Sequence, residues 1–231
     1  MKENMQRIAL INNFEDYRFN QYFNKYGKDY ITSFDASKNS FPDPDEFDYF
    51  VLSGSECSIL ENHKWIEQEM ELVINLAKKR KKILGICFGH QLIAKAFIGS
   101  AGVRKTSYKE FGWYPVTKTE KSNEYFLLEG LPFQFTAFLS HFDEVCNLDE
   151  RFEILATTKD CKVQAMVMKD TQIYGVQFHP EIENSVAYSF LFEMHSLDKN
   201  YPWPPNNIEN YRMDFRLLPV NRIFNNFFSL P

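Results

Sequence analysis

A chain of 231 residues with 44% hydrophobic side chains can bury one sizeable α/β core, and two full domains would be crowded in it. Its formal net charge of −5 excludes a global field that draws in nucleic acid or an anionic membrane, so small or neutral partners are expected. The first apolar run, residues 8–11, is too short for a signal-sequence core or a membrane span, and a cytoplasmic protein is expected.

Residues 7–12 read as a first buried strand, followed by a helix over 17–26 and a short strand over 30–34. A polar, proline-containing loop over 37–46 leads into a second apolar strand at 47–53. Trp65, Ile66, Met70, Val73, Ile74 and Ala77 recur at a spacing that predicts an amphipathic helix over 65–79, packed on a sheet. A strand at 82–86 and a helix at 91–97 come next. Strands alternating with helices imply a parallel sheet whose functional groups gather at the carboxyl ends of its strands. From Gly112 onward the pattern changes to short strand-like runs at 113–118, 135–139, 152–158, 162–168 and 171–177, which predict an antiparallel or mixed half. Asp170 and Thr171 suit a tight turn between the last two. A helix is expected over 184–195, irregular chain over the Pro- and Asn-rich 198–210, and a final helix over 220–228.

Between the strand at 82–86 and the helix after it, residues 85–91 read Gly-Ile-Cys-Phe-Gly-His-Gln. A side chain that attacks a carbonyl must project from a tight turn with little around it, and glycines two positions before and after Cys87 permit that turn. At a helix N-terminus, unsatisfied backbone N–H groups and the helix dipole favour a thiolate. Downstream, His179-Pro180-Glu181 supplies a base and a carboxylate to orient it. These three types permit attack on an amide carbonyl, a thioester intermediate, release of the amine or ammonia, and hydrolysis. In this scheme Cys87 is the nucleophile, His179 the proton carrier and Glu181 the orienter. The N–H of Phe88 is one oxyanion donor, and a second comes from the loop Ser53-Gly54-Ser55-Glu56, through Ser55.

These residues make the chain resemble the class I glutamine amidotransferases of the triad type. Residues 85–91 fit the family's G-x-C-x-G-x-Q segment and 175–181 fit G-x-Q-F-H-P-E. Residues 111–113 and 140–145 are similar to the subgroup that includes the glutaminase half of GMP synthase, and nearly the whole chain takes part in the match. The resemblance implies an α/β fold, an open twisted mixed sheet between helical layers of the flavodoxin-like kind. It implies a catalytic domain over 1–196, with 197–231 as a C-terminal extension packed on it. Glutamine would sit with its amide over Cys87, beside Gly54 and in contact with Gln91, its amino-acid head near the backbone of Phe142 and Asp143. No cofactor or metal is implied.

Departures from the family pattern bear on the substrate. The oxyanion loop usually reads G-G-P, and here it is Gly54-Ser55-Glu56, a G-S form that also occurs in relatives that hydrolyse γ-glutamyl peptides. Residues 197–231 are too few for a synthetase or ammonia-accepting domain, so an amidotransferase role is expected to need a separate partner. Three readings stay open: a hydrolase of glutamine, a γ-glutamyl peptide hydrolase, and a partner-dependent glutaminase or regulatory subunit.

Other polar residues have simpler explanations. His90 follows the nucleophile on the same helix and cannot face the thiol across a cleft, so it is expected to pack. His141 and Asp143 suit a substrate site or a strand-end turn equally. The basic run 78–82 closes a helix, where cations complement the dipole. The four cysteines are far apart and form no C-x-x-C pair, so neither a disulfide framework nor a zinc site is expected, and Cys57, Cys146 and Cys161 are expected to be inert.

Overall fold

Four short, mainly apolar runs form the centre of a nine-stranded sheet in the computed structural model, which describes residues 7–14, 23, 31–182, 184–197, 199 and 222–230. They are β1 (Ile8–Asn12), β3 (Tyr49–Leu52), β4 (Lys82–Ile86) and β9 (Ile173–Val176). Strands buried on both faces read as continuous hydrophobic runs rather than alternating ones, which is why each is visible in the sequence. With β2 (Ile31–Asp35), β5 (Val103–Lys118), β6 (Gln134–Val145), β7 (Phe152–Thr157) and β8 (Ala165–Met168) the spatial order is β2-β1-β3-β4-β9-β8-β7-β5-β6. The first five strands in that order are parallel and the remaining pairings antiparallel. The sheet is therefore mixed, as expected.

Side chains alternate between two cores. Ala9, Ile11, Phe50, Leu52 and Ile83 face α1 (Lys64–Lys78) and α2 (Phe88–Ile98), meeting Trp65, Val73, Leu76, Leu92 and Ile93. Leu10, Tyr49, Val51, Leu84 and Val176 face the other way, toward α4 (Arg222–Phe228), meeting Ile223, Phe224 and Phe227. α4 is fixed by polar contacts as well: Asn226 Nδ2 donates to the carbonyls of Leu127 and Glu129, each at 2.9 Å. Lys82 Nζ donates to the Leu230 carbonyl at 2.7 Å. α3 (Asn184–Leu197) sets Ala187 and Leu191 against Phe111, Trp113 and Phe138 of β5 and β6.

Two expectations need correction. The runs at 113–118 and 135–139 are segments of far longer strands, 16 and 12 residues, which pair as an antiparallel arm with an irregularity between Lys105 and Glu110. The added part of β5 is rich in polar, exposed residues, and it is held by pairing of residues 103–105 and 110–112 to β6 together with two buried apolar side chains, Val103 and Phe111. α2 begins at Phe88, three residues earlier than expected, because the Gln91 N–H donates to the Cys87 carbonyl at 3.1 Å and closes a first turn on the motif itself. The turn at Asp170 is present, with φ 59° at that residue. The helix expected over 17–26 lies outside the described residues apart from Phe23, and the irregular segment over 198–210 lies outside them apart from residue 199. Among the described residues, no helix is long and apolar enough to cross a membrane.

Candidate active site

The carboxyl ends of β1, β3, β4 and β9 deliver Asn13 and Phe14, the 53–58 loop, Cys87, and the 177–181 segment to one edge of the sheet. A cavity of about 90 Å³ opens there, lined among others by Cys87, Ser55, Gln91, Phe142, Asp143 and His179. Cys87 occupies the turn between β4 and α2 with φ 50° and ψ −101°, a backbone conformation that a side chain other than glycine rarely adopts. Its N–H donates to the Val176 carbonyl at 2.8 Å, tying the turn to β9.

The flanking glycines are required by contact distance. A Cβ on Gly85 would stand 2.4 Å from the Gly89 carbonyl oxygen, and one on Gly89 would stand 2.6 Å from the Leu52 carbonyl oxygen. Strand, turn and helix therefore approach more closely than any side chain allows. A Cβ on Gly175 would stand 2.4 Å from His90 Nδ1. His90 is fully buried and its Nε2 lies 3.1 Å from the Val163 carbonyl oxygen, so it packs against β9 as expected. Burial pushes its imidazole down to about 3.

His179 faces Cys87 from the end of β9, and its Nδ1 lies 2.7 Å from Glu181 Oε1. Both side chains are buried. Burial opposes a charged imidazole there, but the Glu181 carboxylate and the Cys87 sulfur outweigh it and raise His179 well above its ordinary 6.5. Gln177 Nε2 donates to Cys87 Sγ at 3.5 Å, and the thiol reaches the Ser140 carbonyl at 3.7 Å. Gln177 belongs to the 175–181 segment that stands out in the sequence, but its contact with the sulfur is visible only in the fold.

Gln91 is buried and spends both amide hydrogens internally, donating to the Asp143 carbonyl at 2.7 Å and to Gln177 Oε1 at 3.1 Å. Among the described residues, its Oε1 is the atom left to meet a ligand. Phe142 lines the cavity against the Phe111 ring at 4.8 Å. The Asp143 carboxylate turns away to accept from the Ser58 hydroxyl at 2.5 Å and the Ile59 N–H at 3.2 Å, pinning the loop opposite. His141 is buried between the Asp143 carbonyl, 3.0 Å from Nδ1, and Glu110 Oε2, 2.9 Å from Nε2. Thr158 and Gln164 donate to the same Glu110 carboxylate at 2.5 and 2.8 Å. His141 thus lines the cavity with both ring nitrogens held by the protein, and Glu110, within the polar stretch of β5, carries no signal in the sequence.

Phe88 opens α2, where the first N–H groups have no intrahelical acceptor. On the opposite loop, a Cβ on Gly54 would stand 3.2 Å from His179 Cε1 and 3.2 Å from Phe14 Cζ, so this position is close-packed under the histidine. Ser55 Oγ donates to the Asn13 carbonyl at 2.8 Å and accepts from the Cys57 N–H at 3.1 Å. Asn13 grips Ser53 as well: its N–H donates to Ser53 Oγ at 2.7 Å, and its Nδ2 to the Ser53 carbonyl at 3.3 Å and to Glu69 Oε1 at 3.2 Å. Glu69 is fully buried on α1, and burial pushes its carboxyl up to about 8, the Asn13 bond opposing.

Comparison with known proteins agrees with this arrangement. The family model described as glutamine amidotransferase class-I matches residues 16–197. Over 140 residues the chain is 36% identical to a protein of Sulfurisphaera tokodaii described as a subunit of glutamine-hydrolysing GMP synthase, covering 61% of this chain and 70% of that one. Over 103 residues it is 47% identical to the protein of the same description from Methanocaldococcus jannaschii, covering 45% of this chain and about half, 52%, of that one. A solved glutamine amidotransferase of Thermotoga maritima superposes with a TM-score of 0.74 over 98% of both chains at 21% identity, a likeness of fold.

Proposed function

The chain belongs to the glutamine amidotransferase class-I family, and from that premise we propose that it cleaves the side-chain amide of glutamine through a γ-glutamyl thioester on Cys87. The observation that carries this reading is the opposition of Cys87, on a strained turn, to a buried His179 held at 2.7 Å by Glu181. In the proposed reaction the sulfur attacks the amide carbon and the oxyanion settles between the N–H groups of Phe88 and Ser55. His179 hands its proton to the leaving nitrogen as ammonia departs. It then takes a proton from the water that frees glutamate and the thiol. Glu181 keeps the imidazole turned toward the sulfur. Gln91, through Oε1, and the backbone of Gly54, Phe142 and Asp143 hold the rest of the substrate.

A separate ammonia-accepting synthetase is the partner we propose, since the relatives are described as subunits of a synthase. Residues 1–196 form the catalytic domain in this proposal, and 197–231 an extension on it, a view the packing of α4 supports. A reducing cytoplasm suits a working thiol. The Gly54-Ser55-Glu56 loop favours a second reading, hydrolysis of a γ-glutamyl peptide with an amine in place of ammonia as leaving group.

Treatment with an electrophilic ketone analogue of glutamine is expected to add one adduct mass to the intact protein, at Cys87, with loss of activity. An unchanged mass at neutral pH overturns the nucleophile assignment. Ammonia release from glutamine, measured beside amine release from a γ-glutamyl dipeptide, with and without an added synthetase, separates the readings.

A further inference from the structure

The connection from β3 to α1 bends so that Cys57, Glu61 and His63 converge, their ligand atoms all within 4.8 Å of one another. The absence of paired cysteines argues against a zinc site at the level of sequence, but the set assembled here has one sulfur, one imidazole nitrogen and one carboxylate oxygen. We propose that these three side chains bind a borderline divalent transition ion, Zn²⁺ fitting best, at the rim of the active-site cavity.

The donor chemistry supports the choice. Mixed Cys, His and carboxylate ligands are those of zinc, whereas Mg²⁺ and Ca²⁺ take oxygen alone. Around tetrahedral zinc, sulfur and nitrogen ligands stand roughly 3.5 Å apart, so rotations of partly exposed side chains close the cluster. His63 Nε2 already lies 2.7 Å from Glu61 Oε2, with both groups about half exposed. An exposed pair of that kind contributes little by itself and loses little when an ion enters. The Cys57 thiol gives its proton to solvent on binding, and the fourth position, left to water, opens toward solvent.

The location gives the ion an effect. Cys57 lines the cavity and its N–H donates to Ser55 Oγ, so it belongs to the loop whose Ser55 N–H is the proposed second oxyanion donor. An ion bridging Cys57 to the start of α1 fixes that loop in one position, and so regulates hydrolysis. This regulatory part rests on the proposed function, while the binding part does not.

Zn²⁺ binding is measured by competition with a chromophoric chelator in a Cys87→Ser background, where the nucleophile cannot supply the thiolate. One site is expected, weakened more than about tenfold by adding Cys57→Ser or His63→Ala. Co²⁺ is expected to show a thiolate charge-transfer band that Cys57→Ser abolishes. Absence of a site in Cys87→Ser, or affinity unchanged by both additional substitutions, overturns the proposal. With Cys87 intact, Zn²⁺ is expected to change the glutaminase rate of the unsubstituted chain and not that of His63→Ala. An equal effect on both places the ion at the Cys87 thiol instead and overturns the regulatory part alone. A chain that binds Zn²⁺ at the rim but releases no ammonia from glutamine leaves the site standing and refutes the proposed function.

Discussion

Replacing Glu69 by Gln is predicted to stabilise the protein at neutral pH and to do so progressively more as pH rises. Glu69 is fully buried beneath the 53–55 loop, its Oε1 accepting from Asn13, while its Oε2 and Asn13 Oδ1 meet no hydrogen-bond donor among the described residues. Its carboxyl is raised from 4.5 to about 8, so between those values the folded state holds a proton that the unfolded chain has released. The folded state binds more protons there, and stability falls as pH rises through that window and levels off above it. The full span corresponds to about 5 kcal/mol, and about 3 kcal/mol of it is already lost at pH 7. Glutamine keeps the acceptor for Asn13 and never ionises. Urea denaturation at a series of pH values is therefore expected to give similar stabilities for the two chains near pH 4.5. The Glu69→Gln chain should lead by about 3 kcal/mol at pH 7 and about 4 at pH 8. His179 also loses stabilising power as pH rises, but it contributes equally to both chains and cancels from the difference. Stability curves that stay parallel across this range would falsify the reasoning, for they would mean that Glu69 ionises in the folded state as freely as in the unfolded one.

Glu181→Gln is expected to lower kcat by roughly 10²–10⁴-fold, since it leaves His179 without the carboxylate that fixes its proton and orientation. In the unsubstituted chain the raised imidazole lends stability that is complete below pH 6.5 and lost as pH climbs through its folded-state value. That loss should shrink in Glu181→Gln, as read by denaturation above pH 6.5, and an undiminished loss counts against the ion pair. Gly89→Ala is expected to destabilise the fold by roughly 1–3 kcal/mol, because its Cβ would meet backbone and Cβ atoms of Leu52 at 2.6–2.9 Å. Activity should fall with it, since the Gly89 N–H donates to the Ser53 carbonyl at 3.0 Å and so links α2 to the 53–55 loop. Wild-type urea midpoint and kcat/KM together contradict that reasoning.

What the sequence discloses about this molecule is whatever is local. Apolar runs bounded by turn residues mark the four central parallel strands, and two short segments mark Cys87, His179 and Glu181, because each is recognisable within a few neighbours. What stays hidden depends on partners far along the chain. Glu69 sits in α1 between Glu67 and Glu71 and looks like one more solvated carboxylate; only the arrival of Asn13, 56 positions earlier, shows it to be buried. The front part of β5 has isolated buried apolar side chains, Val103 and Phe111, without the regular alternation that would betray a strand, and Cys57, Glu61 and His63 converge through the course of a loop rather than through a repeat.

The glycines explain why two segments so far apart in sequence nonetheless act together. Gly85 of the first and Gly175 of the second are direct partners in the β4–β9 register. The missing Cβ at Gly85 lets α2 close onto the turn, and the missing Cβ at Gly175 admits the ring of His90 from that same helix. A slip of one residue in this pairing would send His90 into a side chain and turn the residues of β9 to the opposite face of the sheet. It would also break the bond from the Cys87 N–H to the Val176 carbonyl, three residues before His179. The distance from sulfur to imidazole is therefore set by strand register. The reactive side chains of one segment and the bare backbone of the other are two parts of a single geometric constraint, in which the glycines fix where Cys87 and His179 meet.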